Sequence, residues 1–255
     1  MPEILTFNDI QPLLVFGLVS LSFVSSFITV SLGVGGGLLL LAFMANIFPA
    51  SALIPVHGVI QLGSNFLRLS LMVKYVQWQH FWLFLVGTAI GVTLGGSDVV
   101  TLDPAIIQMC IGLFVVYSLI KTPPRWLSKL PILTGMFSSF LTMFFGATGV
   151  FVANYVKSLQ LPRKQYVAMH ALFMATQHFL KAVVFGFLGF NFQPWIILII
   201  LMMLSGFLGT LVGRFVLFKM NENLFTNLLN IVLFLLAVRL IWFGLKSGVF
   251  SFLPV

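Results

Sequence analysis

Ser25-Ser26-Phe27-Ile28-Thr29, Gly33-Val34-Gly35-Gly36-Gly37, Pro49, His57 and Phe66-Leu67-Arg68 make up the stretch on which the fold turns. The same series returns 113 residues later as Ser138-Ser139-Phe140-Leu141-Thr142, Gly146-Ala147-Thr148-Gly149, Pro162, His170 and Phe179-Leu180-Lys181. Ten of the 44 positions from 25 to 68 are identical to their counterparts without a gap. Matched leucines would mean little in an apolar chain, but matched glycines, hydroxyls, prolines and histidines identify an internal duplication.

The rest of the sequence states what kind of chain was duplicated. Sixty per cent of the 255 residues are apolar and 7% are charged, against about 25% charge in a soluble domain. Apolar runs of about 17 to 25 residues fit helices crossing a hydrocarbon core ~30 Å thick, and the alternation of a membrane barrel is missing. The expected fold is all-α, a polytopic membrane protein in which residues 1–255 form one integral domain. Repeat one covers about 12–121, a linker about 122–130 and repeat two about 131–246. Helices are expected at about 13–32, 38–48, 51–73, 81–94, 104–120, 132–145, 150–159, 164–188, 194–218 and 224–245. Met1-Pro2-Glu3 lacks a basic leader, so no cleaved signal peptide is expected. Cys110, the single cysteine, lies inside an apolar run and reads as a packing residue.

Four glycines in five positions, Gly33 to Gly37, unwind a helix because glycine lacks a Cβ and tolerates positive φ. Each broken element either crosses the membrane or turns back on itself, and charge placement separates the two. With re-entrant hairpins each repeat has three full crossings, and the repeats are inverted relative to each other. Lys74, Lys121, Arg125, Lys129, Lys157, Arg163, Lys164, Arg214 and Lys219 then share one side, against Lys246 on the other. Glu3, Asp9, Asp98 and Asp103 fall opposite the basic group. Full crossings would split the basic residues, against the positive-inside tendency. The net charge of +8 is therefore a topology signal and calls for no nucleic-acid partner. The expected architecture is two inverted repeats, each a re-entrant broken-helix hairpin plus three transmembrane helices, with the basic linkers cytoplasmic. The first arm of hairpin one is long for a half-crossing.

Paired breaks at matching positions in two halves are the sequence pointer to a transporter's midplane site. Beside them, His57, Gln61, Ser64/Asn65 and Arg68 follow i, i+4, i+7/i+8, i+11 on one helical face. Repeat two gives His170, Met174, Gln177/His178 and Lys181. A cation at the bilayer centre costs about 2.5 to 3.5 kcal/mol on insertion scales, so such a stripe belongs inside the protein. One histidine in isolation reads as a packing residue, but recurrence at the same repeat position argues for a site. The stripes carry donors and two cations, no Asp or Glu lies within the helical cores, and the breaks start new helices whose N-termini favour anions. The expected substrate-binding residues are His57, His170, Gln61, Asn65, Gln177, His178, Gly35, Gly36, Gly37, Thr148 and Gly149. Arg68, Lys181 and Ser31 are expected along the substrate path. The expected ligand is a small anion, the surroundings are lipid, and no catalytic residue, metal or cofactor is implied. Gly91-Val92-Thr93-Leu94-Gly95 and Gly209-Thr210-Leu211-Val212-Gly213 carry the spacing of helix-packing faces. Trp78, Trp82, Trp195 and Trp242 read as interfacial anchors.

A Gly-rich break after a first helix, then a proline, then a histidine on the next helix, repeated in the second half, resembles the TauE/SafE family of membrane permeases, named for sulfite and sulfoacetate export. The resemblance covers nearly the whole chain. Gly33-Val34-Gly35-Gly36-Gly37 carries the motif, and Gly146-Ala147-Thr148-Gly149-Val150 is its degenerate copy. It implies a bacterial-type plasma-membrane transporter of sulfur-containing organic or inorganic anions, and with the two-repeat architecture the expected function is export of sulfite or an organosulfonate by alternating access. An anion channel, a permease for another small anion or sulfur compound, and an intramembrane enzyme or redox component stand as alternatives, the last opposed by histidines that lack the partners of a metal site.

Overall fold

The computed structural model describes residues 11–32, 35–99, 104–121, 126, 129–146, 148–216 and 222–248. Gly33, Val34, Ala147, Asp103 and most of the central linker, all used in the sequence reading, lie outside these residues. Ten α-helices occur in chain order among the described residues. They are α1 (Pro12–Leu32), α2 (Gly36–Met44), α3 (Ala50–Met72), α4 (Phe81–Val99), α5 (Pro104–Ile120), α6 (Pro131–Phe145), α7 (Gly149–Ser158), α8 (Arg163–Phe187), α9 (Ile196–Val216) and α10 (Glu222–Gly248). The first five and the last five correspond one to one, and the chain is an all-α polytopic membrane protein.

The breaks fall where the glycines put them. Gly35, at the N-terminus of α2, has φ 103°, and Gly146, at the end of α6, has φ 76°. Side-chain-bearing residues rarely adopt either conformation. Pro49 and Pro162 occupy the same position in their repeats, extended (φ −62°, ψ 142° and φ −53°, ψ 150°) immediately before α3 and α8. Proline without an N–H suits a helix entry, where that donor has no intrahelical partner. Helix α2 starts and ends earlier than the apolar run suggests, because Gly36 already has helical neighbours and Asn46 Nδ2 donates to the Ala42 carbonyl (2.7 Å) as the helix ends. Helix α4 continues through Gly95 and Gly96 to Val99, because Gly95 is packed against α6.

Packing exchanges helices between the repeats. Helix α1 packs chiefly on α9 and α6 on α4, while α3 pairs with its own counterpart α8, and α5 with α10. The glycine spacings explain the exchange. A Cβ at Gly91 or Gly95 would collide with the carbonyls of Met136 or Phe140, and one at Gly209 or Gly213 would crowd those of Phe23 and Phe27. Met136 and Phe140 are Phe23 and Phe27 displaced by 113. The same joint recurs one turn away, where Ser205 Oγ donates to the Val19 carbonyl (2.7 Å) and Gly87 abuts the Ile132 carbonyl. Both glycine pairs are thus packing faces, each receiving the first helix of the other repeat.

The outer surface is apolar, with Phe16 70%, Phe187 87% and Phe215 78% exposed, while Ser25, Ser26, Ser138, Ser139, Gln177 and Lys181 are buried. Polar groups inside and apolar groups outside suit a lipid solvent. Among the described residues, three helices combine the length and apolarity to cross a membrane, at Pro12–Ser31, Arg163–Phe187 and Gln193–Phe215. Helix α1, at 21 residues, is about 31 Å long and α2, at nine, about 13 Å, so the arms of hairpin one are unequal. Trp78, Trp82 and Trp242 are exposed, as expected of anchors, but Trp195 is not: it is 2% exposed and stacks on Phe48 with ring centroids 5.0 Å apart. The turn Gln193–Trp195 before α9 tucks this indole inward, so it contributes to the core.

Candidate functional site

Helices α3 and α8 carry the two polar stripes and cross antiparallel. Lys181, near the end of α8, runs across Gly58, near the start of α3, and Lys164 Nζ lies over the Tyr75 ring (5.5 Å) at the opposite ends. Both stripes face inward: His57, Gln61, Ser64, Asn65 and Arg68 on α3, and His170, Met174, Gln177, His178 and Lys181 on α8, are all buried. The crossing brings His57 and His178 edge to face, with ring centroids 6.2 Å apart. A Cβ at position 58 would lie 2.7 Å from the Lys181 Cε, so a side chain there would displace the end of that lysine.

Part of each stripe fastens the hairpins. Ser64 Oγ and Ser26 Oγ share a hydrogen bond (2.9 Å). At the matching place in repeat two, Gln177 Nε2 donates to Ser139 Oγ (2.8 Å) and to Ser138 Oγ. Lys181 Nζ donates to the Gly146 carbonyl (3.0 Å) and reaches Thr142 Oγ1 (3.5 Å), which itself donates to that carbonyl (3.0 Å). Thr148 Oγ1 donates to the Ser138 carbonyl (2.8 Å), closing hairpin two. In hairpin one, Gly36 lies so close to the Ser25 carbonyl that no side chain fits between them. Arg68 Nη1 donates to Asn65 Oδ1 (3.1 Å) on its own helix, and Asn65 Nδ2 donates to the Gln61 carbonyl (2.8 Å).

The remaining stripe residues surround a cavity of about 40 Å³ between the two hairpin tips. Helix α3 lines it with His57, Gln61 and Asn65, helix α8 with His170, Met174 and His178, and the tips with Gly35, Gly37, Leu38, Gly149 and Val150. Holding one water takes roughly 10 to 15 Å³ on this measure, so about three water-sized groups fit. His57 Nε2 donates to the Gly37 carbonyl (3.0 Å), fixing the ring against tip one. Its Nδ1, His170 Nε2 and His178 Nδ1 are buried without hydrogen-bond partners. Each unpaired buried nitrogen costs about 1 to 3 kcal/mol, so three around one space favour a polar occupant. No Asp or Glu occurs in α1 to α3 or α6 to α8. Among the described residues no group of three or more His, Cys, Asp or Glu side chains is placed to hold a metal ion.

Eight of the sequence-expected binding residues thus meet at one cavity: His57, His170, Gln61, Asn65, His178, Gly35, Gly37 and Gly149. Gln177, Gly36 and Thr148 do not line it, being engaged in the hairpin joints. Arg68 and Lys181 lie off the cavity as buried cations, and Ser31 Oγ is buried without a partner. Leu38, Val150 and Met174 line the cavity without having been among the expected binding residues, Met174 being named only as a member of its stripe. The signal for the first two was adjacency to the tip glycines, and for Met174 its place between two histidines of the stripe.

An all-α membrane protein built from two halves, with a small polar cavity where two broken helices meet, has the class features of a polytopic transport protein. The chain belongs to the TauE/SafE family: the family model described as sulfite exporter TauE/SafE matches residues 18–240. No curated protein and no solved structure matched the chain.

Proposed function

We propose that this protein is a plasma-membrane transporter of the bacterial inner-membrane type that exports a small sulfur-containing anion, such as sulfite or an organosulfonate. The substrate occupies the cavity between the hairpin tips, and the two repeats, about 12–121 and 131–246, rock against each other to open it to either side in turn. One observation carries this reading: three imidazoles from matching helices, each with a buried ring nitrogen that lacks a close hydrogen-bond partner, line one small cavity whose helices contain no carboxylate. The tips add backbone N–H groups where α2 and α7 begin, a setting that favours negative charge. Lys181 and Arg68 supply positive charge nearby. The antiparallel crossing of α3 with α8 supports an inverted relation of the repeats, because equivalent helices would run parallel about an axis along the membrane normal. That topology keeps the basic linkers cytoplasmic.

Leaving an inside-negative cell is downhill for a monovalent anion by about 2.3 kcal/mol per 100 mV, so export requires no coupled ion. The test is efflux of sulfite and of methanesulfonate from proteoliposomes containing the purified full chain. Saturable efflux that falls about tenfold or more in His57→Ala and His170→Ala, with both variants retaining their melting behaviour, is expected. Normal efflux in both variants removes the cavity from the transport path. Non-saturating flux that also carries chloride replaces the transporter with an anion channel.

A further inference from the structure

One residue makes the two ends of the cavity chemically unlike. Gln61 and Met174 hold the same position in their repeats, 113 residues apart, and each reaches the tip of its own hairpin. The Gln61 amide lies 3.2 to 3.3 Å from where a Cβ of Gly37 would be, and the Met174 thioether lies with Cε 3.5 Å and Sδ 3.7 Å from where a Cβ of Gly149 would be. Tip one is therefore dressed by an amide, next to His57 and Asn65. Tip two is dressed by a thioether, next to Val150, with His170 Nε2 beside it at 3.9 Å from the same point. An amide hydrogen-bonds an anion oxygen, whereas a thioether is a soft, polarisable and nearly apolar surface with only a weak acceptor.

We infer that Met174 selects for sulfur oxyanions that carry three oxygens on one face and a soft or apolar group on the other, and against sulfate. This rests on the reading of the cavity as the transport site. Sulfite presents three oxygens and a sulfur lone pair, methanesulfonate three oxygens and a methyl group, and thiosulfate three oxygens and a terminal sulfur. In each the oxygens meet the donors around tip one and the fourth substituent meets Met174. Sulfate has a fourth oxygen, which where it faces the Met174 side chain leaves water without finding a donor in the thioether. A buried acceptor left unpaired is a strong basis for rejection, stronger than a small difference in apolar contact. The volume of about 40 Å³ adds a limit on length, since a chain of several atoms on sulfur does not fit beside three oxygens. The internal repeat supplies the control, because Gln is the residue already present at the equivalent position on α3.

The experiment is equilibrium binding to the detergent-purified full chain, under argon and at matched ionic strength, of sulfite, methanesulfonate, thiosulfate, sulfate and taurine. Wild-type protein is expected to bind the first three at least about tenfold more tightly than sulfate, the discrimination that one unpaired oxygen provides. Met174→Gln is expected to lower that ratio to about threefold or less by raising affinity for sulfate, and Met174→Leu to retain the ratio. Wild-type protein that binds sulfate as tightly as methanesulfonate overturns the inference without any variant. So does Met174→Gln with an undiminished ratio, or taurine bound as tightly as methanesulfonate. Absence of binding by every anion in the panel is a different result: it removes the transport-site reading itself, and the selectivity falls with it.

Discussion

The two hairpins descend from one sequence and are held in different ways. Hairpin two is closed by side chains: Thr148 bonds the Ser138 carbonyl, and Gln177 and Lys181 reach from α8 to Ser139, Ser138 and the Gly146 carbonyl. Hairpin one is closed by the lack of a side chain. Gly36 lets the arms approach until α2 touches the Ser25 carbonyl, and the described ties from α3 are Ser64 to Ser26 and His57 to Gly37. The lesson is that a glycine-rich break and a degenerate copy of it are two solutions to the same closure. Where a glycine was lost in the second copy, a threonine hydroxyl took up the carbonyl that the tight approach had shielded.

The largest expected effect is at the tips themselves. Gly36→Ala drives a Cβ into the Ser25 carbonyl, which belongs to the backbone and cannot step aside, and is expected to cost about 3 kcal/mol or more. Gly149→Ala meets Met174 at ordinary contact distance and is expected to stay within about 1 kcal/mol. Unfolding of both variants in mixed micelles checks the pair, and equal costs break the comparison. Lys181→Met comes next. It strips the Gly146 carbonyl of a charged donor, for an expected loss of about 2 kcal/mol, whereas Arg68→Met removes one described bond within its own helix and is expected to cost about half as much. The same unfolding measurement ranks them, and a costlier Arg68→Met would mean that the bond within α3 outweighs the tie from Lys181 to hairpin two. A contrast of the same size, read by the same measurement, is expected between Gln177→Ala, at about 2 kcal/mol through two lost partners, and Ser64→Ala, at about 1 kcal/mol through one.

Much of this arrangement was legible in the sequence. The duplication, the positions of both breaks, the prolines that open α3 and α8, and the inward stripes all follow from residue types with few conformational or solvation options. Glycine, proline and buried polar groups constrain the chain wherever they stand. What was not legible was the division of labour within the stripe. Spacing places Gln177 and His178 on the same face of α8, but a neighbouring helix decides that Gln177 turns to Ser139 while His178 turns to the cavity. Thr148 was expected at the site for its hydroxyl, and that hydroxyl is engaged by the Ser138 carbonyl. Trp195 looked like an anchor because indoles favour the interface, and only its stacking partner Phe48, far away in sequence, shows otherwise. The glycine spacings on α4 and α9 revealed a packing face without naming its partner, because an apolar helix offers similar surfaces to several neighbours.

The exchange of helices between repeats has a consequence for how the chain is made. Ser205 receives Val19 across 186 residues, whereas Gly91 receives Met136 across a quarter of that distance. At about 5 to 20 residues per second on the ribosome, α4 waits only a few seconds for α6, but α1 waits roughly 10 to 40 s for α9. Throughout that interval the hydroxyl of Ser22, which in the finished protein donates to the Met202 carbonyl, is on a helix whose chief partner has not yet been synthesised. Helix α1 is thus among the last of the described helices to find its place, and a nascent chain stalled just after α6 would hold a completed α4–α6 joint while α1 still lacked its chief partner.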